Sequence, residues 1–108
     1  MLEMTGTFPA AGHVYEANFG GDFLYRLRFN SDSSMTVKGL AGASKDFTET
    51  VDIIVTRIRP GVFMVTWQEA SLATVVHIED FEQGVVYTNI TMPDHTFTRY
   101  MGTLKQIE

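Results

Sequence analysis

The chain has 108 residues, 44% of them hydrophobic and 19% charged, which is typical of one ordered globular domain with a single core. The net charge is −5, and the eight lysines and arginines do not cluster, which argues against a nucleic-acid-binding surface. The absence of cysteine excludes disulfides, thiolate nucleophiles and cysteine metal sites. No apolar run reaches the ~20 residues of a membrane-spanning helix, and the first residues lack a signal-peptide pattern. We therefore expect a cytoplasmic protein without membrane contacts.

Residues 1–12 contain Gly6, Pro9 and Gly12 and show little periodicity, so we interpret them as a lead-in segment to one domain spanning residues 1–108. Beyond this segment, side chains alternate between apolar and polar along most of the chain, as they do in half-buried strands. The predicted strands are residues 13–19, 23–30, 35–40, 47–59, 62–69, 74–81, 85–91 and 97–107.

Turn-forming residues separate these strands, for example Gly20-Gly21-Asp22 and Pro60-Gly61. About eight short strands without a convincing helix predict an all-β fold, which can be buried as a closed barrel or as a sandwich. Sequential hairpins with one apolar face per strand favour an up-and-down antiparallel β-barrel, because closure removes sheet edges. A barrel of about eight strands can hold one small ligand.

Glu69 is the first candidate functional residue. Phe63 and Trp67 share one face of strand 62–69, and Glu69 continues that face. A carboxylate in such a row is costly to bury unless it is paired or protonated. Glu69 is therefore either a general acid or base with a raised pKa, or a rim carboxylate paired with Arg57 or Arg59.

His77 shares its alternation with Val75 and Glu79 on strand 74–81. Both faces of this strand carry apolar residues, so the pattern does not decide whether His77 points inward or to solvent. If it points inward, His77 and Glu79 join Glu69 in the interior.

Tyrosine hydroxyls can bind the polar group of a ligand while their rings line the wall. Tyr25 is the best placed, because it lies in the alternating apolar row of strand 23–30. The residues predicted from these patterns to contact a ligand are Tyr25, Phe23, Leu27, Trp67, Phe63, Val75 and Tyr87. The three histidines are scattered, so neither a metal site nor a cofactor is expected.

Three stretches resemble the MoaF-like family, small proteins named after molybdenum cofactor biosynthesis protein F. They are Ile-Arg-Pro-Gly-Val-Phe-Met-Val-Thr-Trp-Gln-Glu (58–69), Val-Val-His-Ile-Glu-Asp-Phe (75–81) and Tyr-Thr-Asn-Ile-Thr (87–91). The resemblance covers nearly the whole chain and implies a lipocalin-like (calycin) barrel.

The chain is also similar, more distantly, to bacterial phenolic acid decarboxylases, which have a run of Gly-Val-aromatic-x-Val-Ser-Trp-Thr-Glu. Residues 61–69 read Gly-Val-Phe-Met-Val-Thr-Trp-Gln-Glu, so this resemblance implies that Glu69 occupies the position of the proton-transferring glutamate. The Tyr-x-Tyr pair of those enzymes matches His13-Val14-Tyr15, which retains only Tyr15. Lys45 stands near the place of their carboxylate-binding arginine, and lysine is a point donor without the bidentate fork of arginine.

These features predict a barrel that binds a small hydrophobic or aromatic ligand, with Glu69 and tyrosines fixing its polar end. The alternative is a cofactor-free lyase or isomerase in which Glu69 transfers a proton and Tyr15, Tyr25 or His77 stabilises oxyanion charge. A third hypothesis is a filled barrel that acts through its surface, as a homodimer or with another partner. Whether the protein is an enzyme is left open by the sequence.

Overall fold

The computed structural model describes residues 8–108, which form nine β-strands and one short 3₁₀ helix, Gly42–Ser44. No helix in this part of the chain is long and apolar enough to cross a membrane. The strands are β1 (Val14–Asn18), β2 (Leu24–Phe29), β3 (Ser34–Gly39), β4 (Thr48–Asp52), β5 (Ile54–Arg59), β6 (Val62–Gln68), β7 (Thr74–Asp80), β8 (Val85–Thr91) and β9 (Phe97–Gln106).

All nine strands belong to one antiparallel sheet with the order β4-β3-β2-β1-β9-β8-β7-β6-β5. Every ladder joins strands that are neighbours in sequence, except the one between β1 and β9. The sheet curls into a nearly closed barrel whose seam lies between β4 and β5. The predicted all-β, up-and-down barrel is confirmed, with nine strands where about eight were expected.

The additional strand arises at Ile53, which divides the single strand predicted for residues 47–59. Val51 on one side of it pairs with Met35 of β3, whereas Ile54 on the other pairs with Thr66 of β6. The chain therefore passes from one end of the sheet to the other at this point, and Ile53 itself is buried in the core. Two half-strands with different pairing partners replace one continuous strand.

Contacts between β4 and β6 hold the two sides of the seam together. The Ala70 backbone N–H, just after β6, donates a hydrogen bond to Glu49 Oε2 on β4 at 2.7 Å. This charge-assisted bond ties the mouth of the barrel across the one place where the strands do not pair.

Aromatic side chains fill one end of the barrel. The Phe8 ring packs edge-on against Phe29 and Phe63, each at 5.2 Å between ring centroids, and against Phe81 at 5.7 Å. Tyr15 joins this cluster through Phe81, at 5.2 Å. Part of the predicted lead-in segment thus packs into this end, which we call the filled end; residues 1–7 lie outside the described residues.

Candidate ligand-binding cavity

The other end of the barrel, which we call the open end, contains a cavity of about 250 Å³. Because side chains alternate along each strand, one face of the curled sheet supplies the cavity wall. Most of this wall is apolar or aromatic and includes Phe19, Leu27, Val37, Phe47, Trp67 and Val75. Polar side chains interrupt it at five positions: Tyr25, Ser44, Glu69, His77 and Thr88.

Glu69 lies at the mouth of the cavity, directly after β6. Its Oε2 accepts a hydrogen bond from Trp67 Nε1 at 3.3 Å. Burial raises the pKa of Glu69, the hydrogen bond from Trp67 opposes this, and the negative charge of Glu49 raises the pKa further. Arg59, which was considered as a rim partner of Glu69, donates a hydrogen bond from Nη1 to Oε1 of Glu82 at 3.0 Å. Glu69 is thus a carboxyl group that holds its proton more readily than usual and faces the cavity.

His77 points into the barrel, which decides the question that the pattern of β7 leaves open. Its side chain is buried, and Nδ1 lies 2.9 Å from Oε2 of Glu79, which is 0% exposed. The Trp67 indole and the His77 imidazole form a T-shaped contact, with ring centroids 4.7 Å apart. The order Glu69, Trp67, His77, Glu79 therefore runs from the mouth to the middle of the barrel.

Two buried polar atoms in and beside the His77–Glu79 pair have no hydrogen-bond partner in the described part of the chain. They are Glu79 Oε1 and Thr88 Oγ1. Thr88 lies directly opposite His77 in the ladder between β7 and β8. No sequence pattern marks Thr88 as a site residue. Glu79 is linked to His77 in the sequence only by the period of two along the strand.

Tyr25 forms the mouth together with Ser44. The Tyr25 hydroxyl lies 3.1 Å from Ser44 Oγ, and both side chains line the cavity. The 3₁₀ helix can approach the barrel because residue 39 is glycine: a Cβ at Gly39 would collide with the backbone carbonyl of Ser44. A small residue at the end of β3 thus allows Ser44 to reach the cavity.

The structure brings together six of the residues proposed from the sequence. Those that line the cavity are Tyr25, Leu27, Trp67, Glu69, Val75 and His77. Tyr15 and Phe63 lie in the aromatic cluster of the filled end instead. The Tyr15 hydroxyl donates to Gln106 Oε1 at 3.4 Å, and burial, with a smaller effect of the Glu79 charge, raises the pKa of Tyr15.

Three other proposed residues lie outside the cavity. Phe23 precedes β2 in a turn, and its half-exposed ring packs against Tyr100 at 4.9 Å. Tyr87 points outward because its neighbours on β8, Val86 and Thr88, are buried and point inward. Lys45 follows the 3₁₀ helix on the surface.

Among residues 8–108 there is no group of three or more histidine, aspartate or glutamate side chains that could hold a metal ion. The chemical groups that face the cavity are one carboxyl, one imidazole and three hydroxyls. This set can donate and accept hydrogen bonds and can transfer a proton.

The raised pKa of Glu69 predicts a specific dependence of stability on pH. The folded protein binds a proton at Glu69 more tightly than the unfolded chain, so this contribution is fully present below the ordinary value of 4.5 and is lost as pH rises through the raised pKa. We therefore expect wild-type stability, relative to Glu69→Gln, to decrease as pH increases above 4.5. Urea denaturation of wild type and Glu69→Gln across this pH range measures the difference between their free energies of unfolding. A difference that does not change with pH would contradict a raised pKa.

Comparison with known proteins is consistent with this architecture. A family model described as MoaF-like matches residues 11–105. A crystal structure from Burkholderia vietnamiensis, of a protein provisionally described as a beta-lactamase, superposes with a TM-score of 0.89 and 28% sequence identity. That alignment covers 95% of this chain and 100% of the other. Curated protein sequences give no significant match.

Proposed function

The chain belongs to the MoaF-like family, and from this premise we propose that it binds a small apolar or aromatic molecule in the open end of the barrel. The observation that supports this function is the cavity of about 250 Å³, with a mostly apolar wall and a few polar groups. Sites for small molecules typically combine an apolar lining with a few fixed polar side chains.

The size of the cavity limits the ligand. An apolar cavity of about 150 Å³ is enough to bind benzene in another protein. A cavity of about 250 Å³ therefore suits a single ring with one or two small substituents. The rings of Phe19, Phe47 and Trp67 provide aromatic contacts, while Glu69 and the Tyr25–Ser44 pair can bind a polar substituent at the mouth.

The second candidate function is a cofactor-free lyase or isomerase. The position of Glu69 in the cavity wall favours it, since a carboxyl group with a raised pKa is suited to proton transfer. Tyr25 lines the same cavity, and its hydroxyl would stabilise developing oxyanion charge by donating a hydrogen bond. Against it, Tyr15 and Lys45 lie away from Glu69, so a carboxylate-holding pair like that of the decarboxylases is not assembled. We therefore place binding first.

The description of the Burkholderia protein does not lead us to propose β-lactam hydrolysis here. The serine enzymes of that class depend on a Ser-x-x-Lys motif. In this sequence no serine is followed by lysine three residues later.

Trp67 provides the test, because it is the only tryptophan and lines the cavity. We expect single-ring aromatic compounds to quench its emission saturably without being consumed. Glu69→Gln should fold normally. Its binding of compounds with a polar substituent should be weaker than that of wild type by about 1–3 kcal/mol. Glu82→Gln, which alters an exposed carboxylate in the turn after β7, is the matched control and should bind like wild type.

The same titration separates the two functions when the absorbance of each compound is followed. Consumption of a compound by wild type, but not by Glu69→Gln, would favour the lyase or isomerase. Absence of quenching by every compound in the panel, with Trp67 emission typical of a buried indole, would contradict both.

A further inference from the structure

We propose that the inner end of the cavity is a hydroxyl-binding subsite, in which His77 accepts a hydrogen bond from a ring hydroxyl of the ligand and Thr88 donates one to it. The proposal rests on the proposed binding function and specifies its ligand class: single-ring compounds that carry a hydroxyl group on the ring.

The positions of the His77 and Thr88 side chains support this subsite. His77 and Thr88 both line the cavity and face each other directly across the ladder of β7 and β8. Side chains in such directly opposed pairs have Cβ atoms about 4.5–5.5 Å apart. Both lie one inward position deeper than Val75 and Ile90, which pair with each other nearer the mouth. One substituent of a ring in the cavity can therefore reach both.

The contact with Glu79 determines the hydrogen-bonding role of His77. Oε2 of the buried Glu79 lies 2.9 Å from Nδ1, and a carboxylate oxygen accepts hydrogen bonds. The tautomer that fits this contact carries its hydrogen on Nδ1 and leaves a lone pair on Nε2. Because Nδ1 is engaged with Glu79, Nε2 is the ring nitrogen left for a ligand in the cavity. A bound group at this place must present a hydrogen to it.

The hydroxyl group of Thr88 also supports the subsite. Thr88 is 2% exposed, and its Oγ1 has no hydrogen-bond partner in the described part of the chain. Buried hydroxyls in proteins are almost always hydrogen-bonded, so an orphaned one in a cavity wall points to a partner supplied by the ligand. Thr88 can donate where His77 can only accept.

A ring hydroxyl satisfies both requirements with a single oxygen atom, since its hydrogen goes to His77 Nε2 and its lone pair accepts from Thr88. A carboxylate does not fit, because it has no hydrogen for Nε2 and would add a negative charge near Glu79. A methyl group does not fit either, because it would leave both polar groups unpaired. The Trp67 indole, which lines the cavity and contacts His77, provides an aromatic surface for the attached ring.

The test compares 4-ethylphenol with 4-ethyltoluene, which have the same number of heavy atoms and differ only in hydroxyl against methyl. We expect wild type to bind 4-ethylphenol about 10-fold more tightly, because only the phenol pairs the buried groups. Thr88→Val preserves side-chain shape and should remove most of this preference. Thr66→Val on the opposite face of the sheet, where Thr66 lies outside the cavity, is the matched control and should keep it.

A second readout locates the hydrogen bond. With ¹⁵N-labelled histidine, 4-ethylphenol should shift the Nε2 resonance of His77, and 4-ethyltoluene should not. Equal binding of both compounds would overturn the subsite while leaving cavity binding intact. A phenol preference that Thr88→Val leaves unchanged, or that leaves Nε2 unshifted, would also overturn it. If neither compound binds, the binding function fails together with the subsite.

Discussion

His77→Leu is expected to lower the free energy of unfolding by about 3–5 kcal/mol, as measured by urea denaturation at neutral pH. Glu79 is 0% exposed, and among residues 8–108 its carboxylate has one hydrogen bond, the 2.9 Å contact with His77. Glu79 Oε1 already has no partner there. Leucine would leave the Glu79 carboxylate without its hydrogen-bond partner in the middle of the barrel, and an unpartnered buried carboxylate costs far more than a hydrogen-bonded one.

The double variant His77→Leu/Glu79→Leu distinguishes this cause from simple loss of packing. Because it removes the orphaned charge as well, we expect it to recover most of the stability that the single variant loses. His13→Leu, at an exposed histidine, is the control and should change stability by no more than about 0.5 kcal/mol. A double variant that is less stable than His77→Leu would indicate that Glu79 has other stabilising contacts.

The row of Phe63, Val65, Trp67 and Glu69 shows what can be predicted from local sequence. A period of two places these side chains on one face, and a row of apolar residues identifies that face as inward. The side of the sheet on which Glu69 lies follows from this alternation, whereas its place in the cavity wall is shown by the structure. The same reasoning predicts the β-barrel, because it needs only strand periodicity and turn residues.

Pairing and strand ends could not be predicted in this way. Residues 47–59 look like one strand, and only the distant partners β3 and β6 show that the strand divides at Ile53. Phe23 alternates with Tyr25, yet β2 begins at Leu24, so Phe23 lies in the turn. His77 lies on a strand with apolar residues on both faces, so its direction depends on which face the sheet curls around. Each of these outcomes is set by contacts far away in sequence.

The cavity also depends on a segment without periodicity. Ser44 and Phe47 reach its mouth from the connection between β3 and β4, which includes the 3₁₀ helix. No alternation pattern marks these residues, and the close approach at Gly39 is visible only in three dimensions. The sequence therefore predicts the cavity wall more completely than its mouth.

Phe29→Ala is expected to destabilise the protein by about 3–5 kcal/mol. Phe29 is 1% exposed, and its ring packs edge-on against Phe8 at 5.2 Å and Tyr15 at 6.1 Å. Its strand is paired on both sides, with β1 and β3, so the backbone cannot move inward to fill the space left by the ring. The loss therefore includes a cavity term in addition to the transfer term. Thermal and urea unfolding measure it.

Phe97→Ala is the matched control, because Phe97 is 56% exposed on β9 and its removal should cost much less. Phe29 does not line the cavity at the open end, so Phe29→Ala should bind 4-ethylphenol with wild-type affinity at temperatures below its unfolding transition. A Phe29→Ala variant as stable as wild type would contradict the tight packing of the Phe29 ring in the filled end. Stability loss accompanied by loss of binding would show that packing at the filled end also holds His77 and Glu79 in place.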